Sequence, residues 1–159
     1  MLKAFYPIKY EDIVSKDSET YGVEKELIYA IIKCESGFDE NARSPADAVG
    51  LMQITPDTFK WLQKYIPESH FGEDELKNPE VNIAYGTLLI SILRKKYSTD
   101  ETVLSAYNAG ETVVKRWLSD KNVSKDGVNF NTIPYKETRD YVNRVKTAKK
   151  IYKKLHFEG

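Results

Sequence analysis

The chain is poor in the residues that usually betray covalent or metal chemistry. Its single cysteine, Cys34 among 159 residues, cannot form an internal disulfide, so the fold rests on packing. Only two histidines occur, His70 and His156, far apart and without a cysteine partner at ligand spacing. No metal site or other cofactor is expected, and both histidines read as surface residues. There is no Gly-x-Ser-x-Gly elbow and no glycine-rich phosphate loop, which argues against serine hydrolases and nucleotide enzymes. Neither sign of charge prevails: 24 basic and 24 acidic residues cancel, and nucleic acid is not an expected partner. With 8 Gly and 6 Pro the composition excludes collagen-like and low-complexity chains. No apolar run approaches ~18 residues, so no integral membrane segment is expected. The opening stretch Met1 to Pro7 has no apolar core of the kind an export signal needs, and any leader or anchor is expected to be absent from this chain.

Hydrophobic residues make up 41% of the sequence, enough for a real core, and one domain over residues 1–159 is expected, with its core at about 10–155. Helical periodicity dominates. Leu27, Ile28, Ile31 and Ile32 recur at helical spacing from about Glu24, and Ser36-Gly37 marks a stop. Thr55-Pro56 and Asn78-Pro79 both read as a capping residue followed by proline at the first helical position. Further helices are expected from about Asp100 to Asn108, through Val114 and Trp117, and along the stripe Tyr141, Val145, Ala148, Tyr152 and Leu155. The last of these is basic, with Arg144, Lys146, Lys149, Lys150, Lys153 and Lys154 read as a solvated face. Only Val123 to Phe130 hints at two-residue alternation, so the fold class is mainly α with little or no sheet.

One residue sits on the wrong face. Glu35 follows Ile28, Ile31 and Ile32 by seven, four and three positions, which places its carboxyl along the apolar stripe. Desolvation there and the negative end of the helix both favour the protonated form, as a general acid for glycosidic cleavage requires. The polar loop from Phe38 to Ile54 follows directly and is long for a structureless connection, so the site is expected there. Cys34 reads as a small buried helix residue, since nothing is placed to activate it.

These residues also form a pattern. Glu35-Ser36-Gly37-Phe38, Ser44, Gly50-Leu51-Met52-Gln53-Ile54, Ala106-Tyr107-Asn108-Ala109-Gly110, Ile133-Pro134-Tyr135, Glu137-Thr138 and Tyr141-Val142 resemble the catalytic domain of the soluble lytic transglycosylases. The likeness runs from about Tyr10 to Leu155 and implies a goose-type lysozyme-like helical fold around a glycan cleft. It implies that peptidoglycan glycan strands are the partner and that Glu35 is the single catalytic acid/base. Ser44 would offer a hydroxyl near it, and Met52 and Gln53 would line the wall that holds the reacting sugar. Tyr107 would orient Glu35 through its hydroxyl, Asn108 would contact the glycan, and Glu137 and Tyr141 would face the site from the opposite side. Gly50 and Gly110 are assigned to backbone conformation.

The mechanism implied by the family needs one carboxyl, where ordinary glycosidases use two. Glu35 protonates the oxygen leaving the N-acetylmuramic acid unit, then takes the proton of that sugar's C6 hydroxyl as an anhydro ring closes. Two alternatives stand beside it: a hydrolytic lysozyme on the same scaffold, with an acid such as Asp47 positioning water, and a peptidoglycan-binding or assembly-scaffold module without catalysis. A monomer in the bacterial cell envelope or outside the cell is expected.

Overall fold

The computed structural model describes residues 1–68 and 70–159. Among them are eight α-helices: α1 (Leu2–Phe5), α2 (Glu11–Tyr21), α3 (Lys25–Ser36), α4 (Pro56–Leu62), α5 (Pro79–Lys96), α6 (Asp100–Ala109), α7 (Glu111–Ser119) and α8 (Lys136–Tyr152). Short 3-10 turns at Gln63–Tyr65 and Glu73–Lys77 lead from α4 to α5. The described residues contain no β-strand, only isolated bridges of Val49 with Arg43 and Ile54. Val123 to Phe130 is a turn-rich loop, in which the Asp126 carboxylate accepts the backbone N–H groups of Val128 and Asn129.

The capping signals operate as their chemistry suggests. Thr55 Oγ1 accepts the Thr58 N–H and Asn78 Oδ1 accepts the Glu80 N–H, each beside a proline that has no donor to lose. Helix α3 closes at Gly37, whose φ of 59° is left-handed. Six consecutive residues of α3, Leu27 to Ile32, are buried, and an amphipathic stripe cannot account for that. The helix is central instead, with α8 on one side and α2 on the other, while α5 packs on α2 and on α6. Helix α2 has little apolar periodicity of its own and was not marked by the sequence; Val14 is its one fully buried apolar residue.

Both chain ends are tied to this centre. The Tyr29 ring stacks on Tyr152 at 5.5 Å, and Tyr152 donates its hydroxyl proton to the Pro7 carbonyl at 3.1 Å. Two residues depart from expectation here. His156, read as a surface residue, is half-buried with Nε2 2.9 Å from the Tyr6 carbonyl oxygen. Leu155 falls outside α8, in a widened π-type turn over Lys153–Phe157, and is only half-buried.

Lys149 also departs from the solvated face assigned to the last helix. It pairs with Glu24 at 2.7 Å and Asp100 at 3.1 Å, while Arg94 holds Glu24 through two bonds of 2.6 and 2.5 Å. This half-buried quartet joins the start of α3 to α5, α6 and α8. Burial pushes the Glu24 carboxyl up, but the bonds from Arg94 and Lys149 outweigh it and hold the pKa at about 2. The quartet's stabilisation is therefore complete above the ordinary carboxylate range near 4.5 and fades as pH falls toward about 2. Glu24→Gln is expected to lower unfolding free energy by roughly 1–3 kcal/mol at pH 7, the usual effect of removing a charged hydrogen-bond partner. Urea titrations of both proteins should show this difference shrinking between pH 4.5 and the acid limit.

Candidate active site

The last turn of α3 ends where α8 crosses it, and that crossing gives Glu35 its environment. The carboxyl is half-buried, with burial as the main influence pushing its pKa up to about 7. The Tyr141 hydroxyl and the Arg144 charge pull the other way, while the Glu137 carboxylate adds a further upward push. Those three residues occupy successive turns of α8. The Tyr141 side chain is 2% exposed and its oxygen completes no well-formed hydrogen bond; the polar group it approaches is Glu35. An orphaned buried hydroxyl carries a free-energy cost, and here it leaves a donor directed at the acid.

The loop from Phe38 to Ile54 forms the second wall and is fixed from beneath. Ser36 Oγ donates to the Leu51 carbonyl at 2.8 Å, which ties the loop to the end of α3. Asn82, on α5 and completely buried, accepts the Met52 N–H at 2.7 Å and donates to the carbonyls of Val49 and Leu76, both at 2.8 Å. Its amide thus meets the Met52 N–H and the Leu76 carbonyl and adds a second donor to the Val49 carbonyl, which also accepts the Ile54 N–H at 3.0 Å. The close approach explains Gly50: φ is +82°, and a Cβ there would overlap the Asn82 amide and come within 2.8 Å of the Leu76 carbonyl oxygen. Three side-chain-bearing residues of the loop, Phe38, Asp47 and Gln53, also adopt left-handed φ values of 67°, 60° and 54°. Such backbone is tolerated where surrounding bonds fix it.

The remaining residues implied by the resemblance divide into two groups. Ser44 Oγ accepts the N–H groups of Ala46 and Ala48 at 3.2 and 3.1 Å, so its hydroxyl proton is what it can still offer a ligand. Gln53 Nε2 donates to Ala42 and Gly50 carbonyls at 3.1 and 3.0 Å, leaving its side-chain oxygen as the acceptor. Asn108 Oδ1 accepts the Thr138 hydroxyl at 2.8 Å, which joins α6 to α8 and leaves the amide N–H groups available. Glu137 is exposed on the first turn of α8.

Two expectations need correction. Met52 does not line a wall with its side chain: it is 0% exposed and packs on Gly86, where a Cβ would collide with it. Its apolar thioether gains more from the core than from a polar cleft, and only its backbone serves the site. The hydroxyl of Tyr107 is not spent on Glu35 either; it donates to the Met52 carbonyl at 2.6 Å. The phenol remains close enough for the Glu35 charge to raise its pKa, after burial itself, the larger cause. Asp47, the alternative water-positioning acid, is exposed and faces Arg43 at 3.5 Å.

The sequence reading missed Asn82 and Arg144. Asn82 lies in the first turn of α5 between Val81 and Ile83, the only signal of a buried polar role, whereas Arg144 reads as part of the basic face although it stands one turn beyond Tyr141. Arg144 lines two cavities that flank this seam, of about 510 and 440 Å³. Among the described residues no group of three or more His, Cys, Asp or Glu side chains is gathered to hold a metal ion.

The family profile described as "Transglycosylase SLT domain" matches residues 12–130. The chain belongs to this family, and its fold is the lysozyme-like helical one of the 70 kDa soluble lytic transglycosylase from Escherichia coli, with a TM-score of 0.87 and 26% identity over 99% of this chain and 26% of that one. It is similar to the membrane-bound lytic murein transglycosylase C of Pectobacterium atrosepticum, 35% identical over 92% of this chain and 47% of the relative. It is likewise similar to the soluble lytic murein transglycosylase of Salmonella typhimurium, 33% identical over 99% of this chain and 25% of the relative. The chain therefore spans between a quarter and a half of the length of these curated relatives.

Replacing Asn82 by Ala takes the partner from the Met52 N–H and the Leu76 carbonyl and leaves the Val49 carbonyl with the Ile54 N–H alone, and should cost roughly 2–4 kcal/mol of stability. Hydrogen exchange would show where: the amides of Val49, Met52 and Ile54 should lose protection while those of α8 keep theirs.

Proposed function

We propose that this chain is the catalytic unit of a peptidoglycan lytic transglycosylase, with Glu35 as its one acid and base. The observation that carries the reading is the Glu35 carboxyl, held near pKa 7 where α3 meets α8. A carboxylic acid in that range is protonated often enough to donate and, once ionised, basic enough to accept. Glu35 gives its proton to the glycosidic oxygen as the bond from C1 of N-acetylmuramic acid to the next N-acetylglucosamine breaks. Positive charge grows at C1, and the acetamido oxygen of the same sugar shields it. The C6 hydroxyl oxygen then bonds to C1, its proton passes to Glu35, and the 1,6-anhydro ring closes with the acid restored and no water consumed.

The chain's own groups fit the two halves of this cycle. The Glu137 charge and burial favour the protonated form before cleavage, and Arg144 with the Tyr141 hydroxyl stabilises the carboxylate after it. The Ser44 hydroxyl, the Gln53 side-chain oxygen and the Asn108 amide supply donors and acceptors for sugar hydroxyls. Murein as substrate puts the working enzyme in the bacterial cell envelope, in keeping with relatives named as murein transglycosylases. No helix among the described residues is long and apolar enough to cross a membrane.

Glu35→Gln should fold as the parent does and lose at least ~10²-fold of its cleavage rate, the lower bound for acid/base action. Digests of purified cell walls by the parent should contain muropeptides lighter by one water than hydrolysis products when read by mass spectrometry. Reducing ends instead would transfer the reading to a hydrolase, and an unchanged wall would favour a binding module.

The pH dependence has a defined sign. Cleavage should fall as pH rises through about 7, because the donor form of Glu35 is lost. Folding follows the same ionisation: a raised carboxyl stabilises the native state below its ordinary value near 4.5 and loses that advantage as pH climbs through about 7. Glu35→Gln should consequently match the parent's stability at pH 4 and exceed it at pH 8 by roughly 2–3 kcal/mol. Denaturant titrations at both values check this independently of activity.

A further inference from the structure

A second kind of cavity, of about 260 Å³, lies between α2, α5 and the segment that leads from α4 to α5. None of its described lining residues belongs to α3, α8 or the loop from Phe38 to Ile54. Ile13 from α2, Ile66 from the connecting segment, and Val81 and Ala84 from α5 make it largely apolar. The rings of Tyr21 and Phe71 add aromatic surface, and Phe71, 42% exposed, stands at the mouth. One group in this lining is out of keeping with it. Asp17 is 5% exposed, and its Oδ2 is withdrawn from water without a hydrogen-bond partner. The adjacent cation, Lys16, pairs with Glu80 at 3.6 Å instead, both side chains being largely exposed at the rim.

The other charged or titratable groups in the lining are Lys16, Glu80 and the phenols of Tyr21 and Tyr85. Burial pushes the Asp17 carboxyl up to about 6; Lys16 opposes it and Glu80 adds to it. Above that value the carboxyl is mostly ionised, and a buried carboxylate oxygen without a donor is costly. A donor from outside the chain would remove that cost, and the lining selects which donor. A second carboxylate is repelled by Asp17 and Glu80. A hard metal ion takes about six or more oxygens, whereas the described lining sets one buried carboxyl among apolar side chains, and no cluster of three metal-binding side chains is gathered there. A neutral apolar molecule would fill the space and leave Asp17 unpaired. A primary ammonium on a short alkyl stem answers both features: the N–H groups donate to Asp17 in charge-assisted bonds, and the stem lies on Ile13, Val81 and Ala84. Thr20 donates its hydroxyl proton to the Lys16 carbonyl at 2.8 Å, so its oxygen is left as an acceptor in the same lining. Aromatic faces attract such a cation as well. The volume, below the ~300–1,000 Å³ of drug-sized sites, suits a fragment of this size and excludes a glycan strand.

We propose that the cavity between α2 and α5 is a binding site for a small primary amine in its ammonium form, with Asp17 as the anionic anchor and the alkyl stem seated on the apolar wall. The site is separate from the reaction assigned to Glu35 and does not depend on it. Its occupant joins α2 to α5 through the one buried carboxylate that the chain's own donors leave unpaired at their interface.

The test titrates the full chain with n-butylammonium, and separately with n-butanol as a neutral counterpart of similar shape, and follows both by NMR. The amine should shift the amides of α2 and α5 around Asp17 and Val81, leave those around Glu35 in place, and bind at least about tenfold more tightly than the alcohol, the scale of one charged hydrogen bond. Its affinity should rise about tenfold from pH 5 to pH 7 as Asp17 ionises through about 6, because only the ionised form is competent to bind. Asp17→Asn keeps the shape and removes the charge; it should bring the amine down to the affinity of the alcohol and abolish the rise with pH. Equal binding of amine and alcohol to the parent overturns the proposal, since it leaves an apolar cavity and nothing more. Amine binding that survives Asp17→Asn overturns it too, as do shifts that map to another surface or the absence of any saturable shift. The comparison of amine with alcohol is made on the parent alone and decides the matter whether or not the variant folds.

Discussion

The organisation of the molecule turns on a carboxyl group that the fold withholds from water. Helix α3 runs through the centre with Leu27 to Ile32 buried on all sides, and Glu35 stands on the next turn along the same direction. A charged side chain at a helix end normally bends away to solvent. Here α8 crosses that end, and the buried phenol of Tyr141 occupies part of the space through which Glu35 would otherwise be hydrated. The cost of that desolvation is met by the packing of the whole α3–α8 interface, to which Val142, Val145 and Ala148 contribute their apolar surface. A site of this kind needs a rigid neighbour, because a small outward shift of α8 would readmit water and return the acid to its ordinary strength.

Burial alone does not distinguish Glu35. Asp17 on α2 is 5% exposed, has an unpartnered carboxylate oxygen and is also raised, to about 6, chiefly by desolvation. Lys16 and Glu80 act on Asp17 in opposite directions too, but through charge alone, and what Asp17 lacks is a hydroxyl directed at it as Tyr141 is at Glu35. Around Glu35, Glu137 supports the protonated state while Arg144 and Tyr141 support the ionised one. A group that must donate and later retrieve a proton gains from both influences, since neither protonation state is stabilised so far that the other becomes inaccessible. The surroundings of Asp17 include apolar side chains such as Ile13, Ile66 and Val81, and burial outweighs the opposing charge of Lys16.

The helices were legible because their signals are local: capping residues at Thr55 and Asn78, proline behind each, glycine at 37, and a 3.6-residue apolar rhythm between them. Glu35 was legible for the same reason, since its misplacement is measured against residues three, four and seven positions away. The failures share the opposite property. Helix α2 has a weak stripe and is fixed by packing on α3 and α5, which no window of sequence contains. Lys149 reads as one of several solvated lysines until Glu24 and Asp100 arrive from distant parts of the chain. Asn82 looks like a polar interruption of an apolar helix, and its purpose is visible only with the backbone of residues 49–52 laid against it. The motif around Met52 was recognisable as a pattern, but a pattern does not say which atoms act. The structure assigns the work there to backbone N–H and C=O groups, with the side chain given to the core.

That division explains how the two walls come to share one geometry. The Met52 N–H is held by Asn82 from α5 and its C=O by Tyr107 from α6, so a single peptide segment is gripped from two helices. Helix α6 also packs on α8 and is bonded to it through Asn108 and Thr138. The loop that offers Ser44 and Gln53 to a ligand is thereby referenced to the helix that surrounds Glu35, although Glu35 itself bonds to neither. An enzyme that must place a sugar ring against its acid within a fraction of an ångström needs such a common frame, because misplacement of about 1 Å can cost ~10²-fold in rate. Tyr107 is best understood as the strut of that frame. Its hydroxyl does not set the protonation of Glu35 by bonding to it; it fixes the distance between the wall that binds and the carboxyl that reacts.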